Sequence, residues 1–218
     1  MKSRASLVLL ALAAVLLGGA KCEVTTAPST GESGDPGLPA AAPSGDYAQQ
    51  LAALSVAGKG SMSGYSRDRF PHWISQGNDC DTRDVVLKRD GTNVKATATC
   101  KITSGMWVSP YDDKTYTNPQ QLDVDHMVPL ADAWRSGASK WTDEQRTQFA
   151  NDLARPQLLA VSLSQNRSKG DQDPSQWKPP NYAYWCTYAE RWIAVKVYWK
   201  LTVTQAEKIA LGDMLGTC

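Results

Sequence analysis

The spacing of apolar and polar residues changes character several times along the chain, and each change predicts a different kind of element. Residues 7 to 17 form an unbroken apolar run behind Lys2 and Arg4, and Gly18, Gly19 and Ala20 follow it. That order of charged, apolar and small residues predicts an export signal over 1–20. From 21 to 46 no apolar period exists, and Pro, Gly, Ser, Thr and Ala dominate, which predicts a disordered linker. Leu51, Ala52 and Leu54 then recur at helical spacing within about 47–56, before Gly58 and Gly60 interrupt them. Next comes a β-like region. Segments 84–88 and 93–103 flank Asp90-Gly91, a hairpin signal, and Val94, Ala96, Ala98 and Cys100 alternate with polar residues as a half-buried strand should. Further strands are predicted at 105–108 and 122–128.

From Pro129 the apolar period lengthens to that of helices. They are expected at 130–135 and 142–152, around Asn166, and twice near the C-terminus, where Thr204 and Glu207 form a capping box for the last one. Trp185, Tyr188, Trp192, Val195 and Trp199 repeat every three or four positions. Such a stripe more often faces a core than forms a stacking platform for bases. Strands followed by helices predict an α+β fold, with an N-terminal β-hairpin region and C-terminal helices, in one domain over 47–218.

Composition narrows the function classes. The chain has 218 residues, with 23 Lys+Arg against 22 Asp+Glu and a net charge of +1. Three of the bases and four of the acids precede residue 47, so the expected domain is only mildly basic and any anion site must be local. No apolar run beyond the N-terminus is long enough to span a bilayer. The cysteines are Cys22, Cys80, Cys100, Cys186 and Cys218, with no CxxC or HxxxH spacing for zinc. In an exported chain the last four should pair, and Cys80–Cys100 with Cys186–Cys218 is favoured among three connectivities because each closes a short segment. Secretion is the expected localisation. A lipid anchor at Cys22 is the alternative, although Lys21 stands where a small residue would precede a lipidated cysteine.

Two polar segments carry candidate chemistry. In Asp123-Val124-Asp125-His126, at a predicted strand end, a carboxylate can hold a cation and an imidazole can accept a proton from water near neutral pH. Alone, the pair reads equally as a satisfied core histidine. Downstream, Phe149-Ala150-Asn151-Asp152 precedes Gln157-Leu158 and then Asn166-Arg167-Ser168-Lys169-Gly170-Asp171. Asn166, Arg167 and Lys169 can gather one amide and two cations around a phosphate, or simply start a polar helix.

In that order the segments resemble the HNH, or ββα-metal, nucleases, and more closely the exported bacterial HNH-type proteins carrying DHxVPLxxAW, FAND and NRSKGD. The resemblance covers about 65 to 198. It implies a ββα-metal core in which His126 is the general base and Asp125 with Asn166 holds one divalent metal, Mg²⁺ first and Mn²⁺ as the alternative. It also implies a middle amide that steadies the imidazole or braces the strands. This chain has Gln157 where the family usually has Asn, so Asn151 or a backbone carbonyl is the other holder to consider. Arg83, Arg167 and Lys169 are the expected substrate contacts, and His72 matches no motif role. The implied partner is nucleic acid, DNA or RNA, cut with little sequence specificity by a monomer, since no base-reading module is present. A catalytically inactive cell-envelope interaction protein on the same scaffold is the alternative, and cleavage of a different phosphodiester a third reading.

Overall fold

The computed structural model of the chain describes residues 46–218. The expected export signal, Cys22 and all but the last residue of the expected linker lie outside the described residues. The chain divides after Ser33 into two units, and every described residue belongs to the second.

Its elements run α1 (Tyr47–Ala53), β1 (Ser75–Gly77), β2 (Cys80–Asp81), α2 (Thr82–Asp90), β3 (Thr92–Ala96), β4 (Ile102–Ser109), β5 (Lys114–Tyr116), β6 (Leu122–His126), α3 (Leu130–Arg135), α4 (Asp143–Ala150), β7 (Leu158–Ser162), α5 (Leu163–Lys169), α6 (Trp185–Tyr198) and α7 (Gln205–Leu215). Three small antiparallel sheets result, ordered β1-β2, β3-β4-β5 and β6-β7. The architecture is mixed α and β, as expected.

The N-terminal hairpin is corrected. Residues 84–88, expected as its first strand, belong to α2. Asp81 accepts from the Asp84 backbone N–H and Asp84 accepts from that of Asp81, a reciprocal cap written with two aspartates. That cap satisfies two N-terminal donors and starts a helix that buries Val86 and Leu87. The hairpin shifts to β3 and β4, and the strand expected over 93–103 breaks at a turn where Thr97 N–H donates to Lys101 O. Ala96 and Ala98 are exposed, so their alternation marks no buried face. Cys100 is buried in that turn because it is bonded to Cys80. The second bridge joins Cys186 to Cys218, so both favoured pairings are present. Each should stabilise by roughly 2–4 kcal/mol through the loop it closes.

Residues 158–162 are a strand. The apolar run Leu158-Leu159-Ala160-Val161 is buried throughout and pairs with β6 in the register Leu122↔Ser162 to His126↔Leu158. With α5 following at once, β6, β7 and α5 form a strand-strand-helix unit. Two buried clusters flank it. The smaller joins Val86, Leu87, Ile102 and Trp107 to Leu122 and Leu158; the larger holds the helices and includes Tyr188, Trp192 and Val195 of the aromatic stripe, which is therefore core.

Candidate active site

The end of β6 is clamped by its neighbour. Met127 N–H donates to Gln157 O at 2.7 Å, while the Gln157 side chain accepts from Val128 N–H at 3.1 Å and donates to Val128 O at 2.9 Å. Gln157 is fully buried and spends its amide bracing the backbone just past His126. The imidazole is held by a main-chain carbonyl instead: His126 Nε2 lies 2.9 Å from Ala150 O. A carbonyl only accepts, so Nε2 carries the proton and the lone pair is on Nδ1. Trp73 stacks on the ring with centroids 5.5 Å apart and planes 20° apart, and His72 meets it edge-on at 6.2 Å. Burial depresses the His126 pKa to about 3, the Ala150 bond opposing and the charges of Arg67, His72 and Lys169 adding to the drop. The imidazole is neutral at physiological pH.

Asn151 does not touch that ring. Its Nδ2 donates to Pro71 O and Thr147 O, and its Oδ1 accepts from Ile74 N–H and Thr82 Oγ1. Those four bonds pin the 71–74 loop to the ends of α4 and α2, and this loop carries His72 and Trp73 to His126. Trp73 sits in the left-handed region, at φ 60°, so the loop needs such fixing.

A polar cleft of about 240 Å³ opens beside β6, lined among others by Tyr65, Arg67, Asp125, His126, Asn166 and Asp171. Asp125 is buried, and its Oδ2 accepts from the Tyr111 hydroxyl and the Lys169 ammonium, each at 2.6 Å. Burial pushes the Asp125 carboxyl up and Lys169 down, each restrained by the other's charge. Asn166 donates Nδ2 to Asp123 Oδ2 at 3.0 Å. Because a carboxylate only accepts, this bond fixes the amide's orientation and leaves its oxygen free. Among the described residues, Asp125 Oδ1 and Asn166 Oδ1 accept no protein hydrogen bond, and both residues line the cleft. Two uncommitted oxygens there are the donor set a hard cation such as Mg²⁺ takes, so the residues fit a metal. Cys186, Glu190 and Cys218 also cluster, but those cysteines are disulfide-bonded and offer no thiolate.

Residues 81–214 match the model of the GmrSD restriction endonucleases, C-terminal domain. The chain belongs to that family. It is also 54% identical over 177 residues, covering 81% of this chain and 87% of the relative, to a fungal protein of Arthroderma benhamiae described as an uncharacterized secreted protein. No solved structure matches. The GmrSD match places the domain in a family of nucleases. The motifs pointed to bacterial proteins, whereas this relative is fungal. With two disulfides and a secreted relative, the protein is secreted; among the described residues no helix is long and apolar enough to cross a membrane.

Of the expected substrate contacts in this GmrSD-type domain, Lys169 is corrected: it is fully buried, paired with Asp125 and bonded to His126 O at 2.8 Å, out of reach of a phosphate in solvent. Arg83 donates to Pro119 O and Leu122 O, which fixes the start of β6. Arg167 is exposed on α5. The cleft's own cation is Arg67, which no motif marked. It stands in a short 3-10 turn, Arg67–Arg69, capped by Ser66, and its charge is felt at both Tyr65 and His126. Nothing in the spacing of Tyr65, Arg67, His72 or Trp73 announces a site, because the fold alone brings them to β6.

Proposed function

We propose that the protein is a secreted HNH-type endonuclease that hydrolyses phosphodiester bonds of nucleic acid with little sequence specificity. His126 is the general base, and Asp125 with Asn166 holds one divalent ion, Mg²⁺ or Mn²⁺. The observation that carries this reading is that a neutral imidazole with its Nδ1 lone pair free, and two uncommitted oxygen ligands, line one polar cleft. When bound, the ion supplies Lewis-acid stabilisation of charge on the phosphate and the leaving 3′-oxygen. Arg67, exposed at the cleft, contacts the phosphate. His126 Nδ1 takes the proton from a water whose oxygen bonds to phosphorus as the bond to the 3′-oxygen breaks. The imidazolium so formed is stabilised by the substrate's own negative charge, which opposes the depression that burial causes in the free site. Tyr65, half-buried at the cleft wall, offers a ring face to a base or sugar.

The departure at Gln157, which favoured an inactive scaffold, is accommodated here: the longer amide spans both polar groups of Val128. Incubating the protein with plasmid DNA and with RNA, in Mg²⁺ or Mn²⁺ and then with EDTA, tests the reading. Cleavage of at least one nucleic acid that EDTA abolishes is expected; cleavage indifferent to EDTA, or none with either ion, would refute it. Asp125→Ala and Asn166→Ala should each raise the Mg²⁺ concentration for half-maximal cleavage, with non-additive losses in the double variant because both act on one ion.

A further inference from the structure

Asp125 is held more firmly than a metal ligand requires. The Lys169 ammonium and the Tyr111 hydroxyl both bond to the same oxygen, Oδ2. Lys169 is the last residue of α5, one turn after Asn166, so a single helix supplies one ligand to the cleft and a cation beneath the other ligand. Gly170, at φ 56°, ends the helix there in a conformation that few side chains tolerate. The ammonium is fully buried, lies 5.9 Å from the Trp192 ring, and spends a second bond on His126 O. Tyr111 is equally buried, among Trp177, Tyr184 and Tyr188.

We propose that Lys169, assisted by Tyr111, is a positioning residue that cancels the charge of Asp125 and confines it to ligation through Oδ1 alone, so that the site holds a divalent ion weakly until a phosphodiester adds its own oxygens. A carboxylate with both oxygens free can chelate a divalent ion, and affinity rises with the charge and number of ligands. Here the two proposed ligands are one compensated carboxylate and one neutral amide, a pair with almost no net charge of its own. Loading of the ion is thereby tied to the presence of substrate. The inference rests on the metal reading of the cleft given above.

The test is Mn²⁺ binding to the free full chain, followed by the electron paramagnetic resonance of unbound Mn²⁺, alongside steady-state cleavage. Lys169→Met keeps the length of the side chain and removes its charge. It should bind Mn²⁺ roughly three- to thirtyfold more tightly without nucleic acid, the range set by the effective dielectric. Its kcat should fall on the order of tenfold or more. A merely structural lysine would weaken binding and turnover together. Tyr111→Phe removes one bond to Oδ2 and no charge, so it should shift both quantities the same way by less, and it decides the question if Lys169→Met does not fold. Unchanged or weaker Mn²⁺ binding in the folded variant overturns the positioning role while leaving a metal-binding, cleaving parent intact. A parent chain that neither binds Mn²⁺ nor cleaves overturns the metal reading and this inference with it.

Discussion

Two buried lysines in this protein are partnered in similar ways and serve different ends. Lys169 lies 2.6 Å from Asp125 under the cleft, and Lys196 lies 2.6 Å from Asp132 between α3 and α6. Lys196 has a second carboxylate, Glu207 of α7, at 3.1 Å, and it also donates to Thr202 O. Burial pushes both ammoniums down. For Lys196 two carboxylates outweigh that effect and its pKa is raised; for Lys169 one carboxylate does not, and its pKa is lowered. Glu207 also accepts from Trp192 Nε1 and caps α7 through Thr204, so that cluster is closed. At Lys169 the carboxylate keeps one oxygen open to the cleft. A closed cluster fixes helices; an open one leaves an atom for chemistry.

The comparison can be broken at either cluster. The largest effect is expected at the cleft: His126→Ala should reduce metal-dependent cleavage by about 10²–10⁴-fold, the range typical of a general base. Its loss of stability should be modest, judged by urea unfolding. Retained cleavage with an unchanged unfolding curve would remove His126 from the chemistry. Lys196→Met should do the opposite. It leaves Asp132 and Glu207 buried without their cation, at a cost of about 3–5 kcal/mol in urea unfolding, yet cleavage per folded molecule should stay near that of the parent.

Acid separates the clusters more finely. His126 titrates near 3 in the folded protein and near 6.5 when unfolded, so the unfolded chain binds more protons between those values. Stability is therefore lost as pH falls from about 6.5 towards 3, by roughly 4 kcal/mol at the lower end. Unfolding in EDTA at a series of pH values should show that slope in the parent and not in His126→Ala. Comparing the two isolates this group, because the carboxyls of Asp125 and Glu207, raised by burial, act in the opposite sense in both proteins. The raised pKa of Lys196 works at the other end of the scale: its contribution is complete below the unfolded value and is lost as pH rises through the folded one.

The smallest of these effects belongs to the bridge at the start of α6. Replacing Cys186 and Cys218 together by Ala should cost roughly 2–4 kcal/mol in unfolding and leave the Mg²⁺ dependence of cleavage unaltered. An altered Mg²⁺ dependence would show that the helical region and the cleft are coupled, contrary to the division drawn between the two clusters.

What was legible in the sequence was local or periodic. Thr204 with Glu207 announced α7, the spacing of Tyr188, Trp192 and Val195 announced a core face, and the order Asp125-His126 then Asn166 announced a strand end and a helix that meet at one cleft. Caps and periods are properties of a few neighbouring residues, so the chain carries them whatever packs around it. The same local reasoning fails at α2, whose cap is written with two aspartates rather than the usual hydroxyl and longer acid, and at β7, because a short apolar run reads alike as strand or buried helix. The rest was decided by tertiary structure alone. Lys169 in Asn-Arg-Ser-Lys is written the same whether it reaches solvent or a carboxylate, and only the fold, which sets Trp192 of α6 beside its ammonium and Asp125 within 2.6 Å of it, makes it a buried partner. Arg67, His72 and Trp73 lie more than fifty residues before His126; Asn151 ties the loop of His72 and Trp73 to α4, and Arg146 of α4 holds the turn of Arg67 by donating to Arg69 O. Which charges are buried, and which atoms remain open, follows from what the fold stacks above each side chain, and no short stretch of sequence contains that information.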